Sequence, residues 1–209
     1  MEYFDRIISL GMDCGVAGSL RNIGYKDFSY PFDWNVTTLK FIINSFNSKF
    51  KNFENIFDKC EKSGNGSLKY DNSIYFFHDD KKVTNNLKQK YIKRSLRLNN
   101  LLNSNKKILF IRKAPNDKIK DIQLLKKEII INYPNLKFKL LLLNNIKKEN
   151  IYDEYIIHKY KDSKCFLSYN NDIYLHQSRE KAYNCVFEEL KNFKSPTFKQ
   201  PSNRDSTEK

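Results

Sequence analysis

Apolar and polar positions alternate along this chain in two distinct rhythms. Residues 4–10 (FDRIISL) alternate imperfectly about an Ile-Ile centre and predict a buried strand, closed by a turn at Gly11. Asp13 is a suitable helix N-cap and makes Cys14 the first helical residue. Val16, Ala17, Leu20 and Ile23 follow at helical spacing, and Gly24 stands where a helix stops in the left-handed conformation. Residues 37–50 predict a second helix, with Leu39, Ile42, Ile43, Phe46 and Phe50 on one side. Ser63-Gly64-Asn65-Gly66-Ser67 is a turn signal. Residues 68–78 then predict one or two strands, with a hairpin break at Asp71-Asn72.

The pattern of the second half is sharper. Residues 86–103 form the strongest predicted helix, with Leu87, Tyr91, Leu98, Leu101 and Leu102 spaced for burial. A continuous apolar run at 107–112 predicts a buried strand, 119–133 a helix stopped by Pro134, and 138–143 another buried strand. Strand, helix and strand with short connections make a βαβ unit, parallel and right-handed. Residues 154–158 and 165–169 are shorter strand candidates, and 178–193 is a last helix capped by Ser178. The fold class is therefore α/β (or α+β). One three-layer-like domain over residues 1–193 has a central mixed sheet flanked by helices, with Cys14 at a helix N-terminus. The polar Pro/Ser-rich stretch 194–209 predicts a disordered tail, and no internal repeat is visible.

Composition narrows the function classes. Hydrophobic residues make up 40% and aromatics 14% of 209 residues, enough for a packed core rather than a disordered chain. The net charge of +14 favours acidic partners in principle. The lysines are spread along the whole chain, however, and no nucleic-acid-binding motif accompanies them, which argues against specific nucleic-acid recognition. No apolar run approaches the roughly 20 residues of a membrane span, and the N-terminus lacks the pattern of a signal peptide. Cys14, Cys60, Cys165 and Cys185 stand far apart without a CxxC pair, so a zinc ribbon or redox dithiol is not expected. The expectation is a reducing, cytoplasmic setting with free thiols, no cofactor, and an oligomeric state that is open.

Candidate chemistry centres on Cys14. A thiol at a helix N-terminus meets the positive end of the peptide dipoles, which favours thiolate. A Gly precedes it, and Gly15, Ala17 and Gly18 leave room around the sulfur; the alternative is a small buried hydrophobe. His78, ending a strand, is the candidate base, with Asp79 or Asp80 to hold its tautomer. His158 and His176 are weaker candidates. Asp33 and Trp34, in the aromatic cluster Tyr-Pro-Phe-Asp-Trp, are candidate substrate-binding residues; Asp33 and Asn35 serve equally well as caps of the following helix. Arg112, at the carboxyl end of a buried strand, faces the crevice of an α/β sheet, placed to bind an anionic group or to pair with Asp33. Arg94 and Arg97 are expected on the solvated side of the long helix.

The blocks ISLGMDCGVAGSLRNIGYKDFSYPFDW, FFHDD, KQKYIKRSLRLNNLL and KKILFIRK, in this order and spacing, resemble the putative papain-like cysteine peptidases, a family of uncharacterised bacterial and viral proteins. The resemblance spans roughly residues 5–145. It implies a nucleophile at Cys14, a histidine at His78 and a nearby acid, Asp79 first and Asp33 second. The chain departs from papain-type enzymes in lacking a Gln shortly before the cysteine, so an oxyanion hole would rest on backbone N–H groups near Cys14. The βαβ unit also differs from an open antiparallel papain-type sheet. The resulting expectation is a cysteine-dependent hydrolase or acyl transferase acting on the amide or thioester of a peptide or other acyl substrate. Two alternatives differ in class. One is a Rossmann-like glycan- or nucleotide-handling enzyme, although Gly11-Met12-Asp13-Cys14-Gly15 lacks the full GxGxxG fingerprint. The other is a catalytically inert interaction module.

Overall fold

The computed structural model describes residues 4–22, 24–79, 81–113, 117–144 and 155–159. In chain order the elements are β1 (Arg6–Ser9), α1 (Gly15–Asn22), β2 (Val36–Thr37), α2 (Leu39–Asn47), α3 (Asn52–Asn55), a 3-10 turn (Ile56–Lys59) and β3 (Glu61–Lys62). They continue with β4 (Leu68–Tyr70), β5 (Ile74–Phe76), α4 (Asn85–Leu102), β6 (Lys107–Lys113), α5 (Ile119–Asn132), β7 (Lys137–Asn144) and β8 (Tyr155–Lys159).

The expected α/β class is what the chain adopts, in one domain. The strands divide between two sheets: a parallel one in the order β1-β6-β7-β8, and a small antiparallel one in the order β2-β5-β4-β3. The β6-α5-β7 unit is parallel as predicted, in the register Lys107↔Lys137 through Lys113↔Leu143. The predicted 165–169 strand, the 178–193 helix and the 194–209 tail lie outside the described residues.

Strand alternation sorts the core. Ile8, Leu10, Ile108, Phe110, Leu140 and Leu142 belong to the main cluster with α2, α4 and α5. The intervening Ile7, Leu109, Ile111 and Leu141 pack on Val16 and Leu20 of α1. Successive side chains of a strand point to opposite faces, so β6 carries Arg112 towards the first cluster and Lys113 towards α1. Aromatic rings pack through this main cluster: Phe53 stacks on Tyr91 at 5.9 Å between centroids, and Phe32 lies 5.9 Å from Phe53.

Local chemistry sets the element ends. Thr38 and Thr84 cap α2 and α4, accepting the N–H groups of Phe41 and Leu87 at 3.2 and 3.1 Å. Helix α2 ends before 50 because Lys49 and Phe50 turn to positive φ, yet Phe50 stays buried. Asp71 and Asn72 both take φ 46° between β4 and β5, the hairpin break expected from these residue types. Gly24, at φ 77°, closes α1.

Candidate functional site

Gly11 makes the first turn possible. It sits at φ 70°, and a Cβ there would stand 2.0 Å from Thr37 Oγ1. The chain thus leaves β1 pressed against β2, and the Met12 N–H donates to Thr37 Oγ1 at 3.2 Å. Helix α1 begins one residue later than expected. The Cys14 carbonyl accepts the Gly18 N–H at 2.9 Å, which makes Cys14 the N-cap and Gly15 the first helical residue. Asp13 still serves the helix start, accepting the Gly15 N–H at 2.8 Å, while its other oxygen takes the Lys113 ammonium at 2.6 Å. Cys14 is half-buried, at the carboxyl end of the parallel sheet, where α/β proteins bind ligands.

Arg112 stands at the same sheet edge but is turned inward and 1% exposed. Its guanidinium donates to both oxygens of Asp117 (2.6 and 3.3 Å), to the Leu10 carbonyl (2.8 Å) and to the Thr37 carbonyl (3.4 Å). It pairs with Asp117 rather than Asp33, because strand alternation sends it between the two sheets.

The remaining predicted residues gather elsewhere. His78, exposed, and Trp34 line a cleft of about 460 Å³ together with Asp79, and their rings meet edge-on at 6.2 Å. Asp79 is directed away from an imidazole-orienting role: its carboxylate accepts from Lys90 Nζ and from the Tyr91 hydroxyl, both at 2.6 Å. Asp33 is wholly buried behind the cleft and caps no helix. One of its oxygens accepts from the Lys26 ammonium and the Tyr30 N–H. Burial pushes the Asp33 carboxyl up and the Lys26 ammonium down, each opposed by the attraction of the other.

Cys14 is not on the wall of this cleft. Arg21 is, seven residues further along α1, about 10 Å at the helical rise. Asp27 is too, and it reaches Arg6 at the start of β1 (3.9 Å), whereas Cys14 follows the end of that strand. The structure thus gathers His78, Asp79 and Trp34 with Arg21 on the cleft wall, and Cys14, Asp13 and Lys113 around the start of α1. His158 lies in β8. Asp80, His176, Cys165 and Cys185 are outside the described residues.

The cleft contains residues that periodicity had put in solvent. Arg94 is 8% exposed and Arg97 half-buried, and both line it. The signal was present: Arg94 falls seven residues after Leu87 and four before Leu98, within the buried stripe of α4. Among the described residues no group of three or more His, Cys, Asp or Glu side chains is placed to hold a metal ion. No helix there is long and apolar enough to cross a membrane.

The chain is 28% identical over 197 residues to an uncharacterised protein of Acanthamoeba polyphaga mimivirus, covering 78% of this chain and 88% of that one. No solved structure matches. The family model described as "Putative papain-like cysteine peptidase" matches residues 5–148, and the chain belongs to that family.

Proposed function

We propose that the protein is a cysteine-dependent acyl-transfer enzyme with Cys14 as its nucleophile. The observation that carries this is the half-buried Cys14 at the N-cap of α1, on the carboxyl edge of a parallel sheet. The peptide dipoles of α1 favour a thiolate there; with the Gly15 N–H taken by Asp13, the N–H groups of Val16 and Ala17 are the donors for a developing oxyanion. Attack forms a bond from sulfur to the acyl carbon and expels the leaving group; water then releases the acid.

The position of His78 bears on which acyl group is used. An amide needs its leaving nitrogen protonated, the work of an imidazole beside the sulfur. A thioester leaves as a thiolate without that proton. Because Cys14 does not line the cleft that holds His78, and Asp79 is taken by Lys90 and Tyr91, the reading favours a thioester or similarly activated acyl donor.

The test is alkylation at about pH 6, where ordinary thiols react slowly, followed by peptide-resolved mass spectrometry. Cys14 is expected to react fastest and Cys14→Ser to abolish the fast phase; Cys14 reacting no faster than a model thiol overturns the proposal. His78→Asn is expected to change the rate by no more than about twofold, whereas a general base contributes about a hundredfold or more. A loss of that size would return His78 to the role of base.

A further inference from the structure

We propose that the cleft around Trp34 binds a small organic phosphate, with arginines holding the phosphoryl group and aromatic rings holding the carbon body. Cys14 is not among the residues lining this cleft, and the inference does not depend on acyl-transfer activity.

Charge supplies the first reason. Among the described ion pairs the cleft's two lysines consume the nearby carboxylates: Lys26 is tied to Asp33, and Lys90 to Asp79 at 2.6 Å. Asp27 is drawn to Arg6. Three guanidiniums, those of Arg21, Arg94 and Arg97, line the same cleft with no carboxylate in ion-pair contact among the described residues. Their charges are felt nearby: Arg94 and Arg21 both add to the burial that depresses the Lys26 ammonium.

Unmet hydrogen bonding supplies the second. Arg94 lies over the Tyr91 ring at 5.1 Å and is 8% exposed, yet its Nη1 has no acceptor among the described residues. A buried guanidinium nitrogen without an acceptor is costly, and an oxyanion in the cleft would relieve it. Arg is suited to this because its planar fork matches phosphate oxygens. Arg97, three residues further along α4 and so on the same face, is preoriented, donating to the Ser29 carbonyl at 2.8 Å and lying 4.9 Å over the Phe28 ring.

Size and lining supply the third. About 460 Å³ falls among small-molecule sites, which run from about 300 to 1,000 Å³. That is more room than a bare phosphate uses. Trp34, Phe28 and His78 also line the cleft, an aromatic share of the wall suited to a carbon body.

Trp34 is the only tryptophan of the chain, so its fluorescence reports on the cleft. Full-length protein is titrated with ribose 5-phosphate, pyrophosphate and, as the uncharged control, ribose. Ribose 5-phosphate is expected to perturb the emission saturably, and ribose to leave it unchanged. Arg94→Met is expected to weaken binding about tenfold or more, and exposed Arg21→Gln severalfold, as for lost charge-assisted hydrogen bonds. Exposed Lys120→Gln on α5 is expected to have no effect, which separates the site from the general basicity of the chain. If Arg94→Met fails to fold, Arg21→Gln and Arg97→Gln decide. No saturable response at millimolar ribose 5-phosphate, or equal affinity in the folded arginine variants, overturns the proposal.

Discussion

Replacing Arg112 by Met tests whether this residue is a clamp between the sheets or a ligand-binding side chain. Methionine keeps most of the apolar stem and removes every donor. Four hydrogen bonds disappear: two to Asp117, one to Leu10 and one to Thr37. The Asp117 side chain is 16% exposed, so its carboxylate is left largely desolvated beside two orphaned carbonyls. Removing one partner of a buried ion pair costs about 3–5 kcal/mol, because the other charge stays behind. Asp117→Asn keeps an acceptor and is expected to cost less, about 1–2 kcal/mol. In Arg112→Met/Asp117→Leu neither charge is stranded, so the double variant is expected to be less destabilised than the sum of Arg112→Met and Asp117→Leu by about 2 kcal/mol. Urea denaturation followed by Trp34 fluorescence and circular dichroism, with a common slope across the variants, gives these numbers. A cost under about 1 kcal/mol for Arg112→Met, or strict additivity in the cycle, would refute the clamp and reinstate Arg112 as a group available to substrate.

Two further outcomes are expected. Gly11→Ala places a Cβ on Thr37 Oγ1 at a φ of 70°; the left-handed backbone alone costs about 1–2 kcal/mol, and the contact adds to it. Thr37→Ala in the same chain is expected to recover the contact part but not the backbone part, and full recovery by denaturation would contradict this. Cys60 has its thiol pushed up to about 11, by burial first and then by Asp58, so its alkylation rate is expected to climb through pH 9 and level off only near pH 11. The sign is that of a proton held more tightly in the folded state, so the matching stability is lost as pH rises between those values. A plateau near pH 9 in peptide-resolved labelling would show an ordinary thiol.

Much of the architecture is written locally. The continuous apolar run of β6, the Asp71-Asn72 hairpin and the βαβ unit follow from side-chain spacing and backbone preference, while the threonine caps of α2 and α4 appear only in the structure. The Cys14 turn was also legible, displaced by one residue, because Gly11 and Asp13 act within a single turn. Strand partnership was not. Nothing local tells residues 36–37 to pair with β5 rather than to open α2, and so one mixed sheet was expected where two sheets form.

The candidate sites divide in the same way. Residue types that carry chemistry are visible one at a time: a cysteine at a helix start, a histidine at a strand end, an arginine in an apolar run. Their company is not, because distances between side chains far apart in sequence depend on how helices and sheets dock. Helix α1 runs back along β1 and so carries Cys14 at its start and Arg21, which lines the His78 cleft, near its end. Helix α4, packed on α3 and the aromatic core, turns Arg94 inward beside Lys26 and Trp34. Periodicity announces which face of a helix is buried; packing alone selects what that face is buried against.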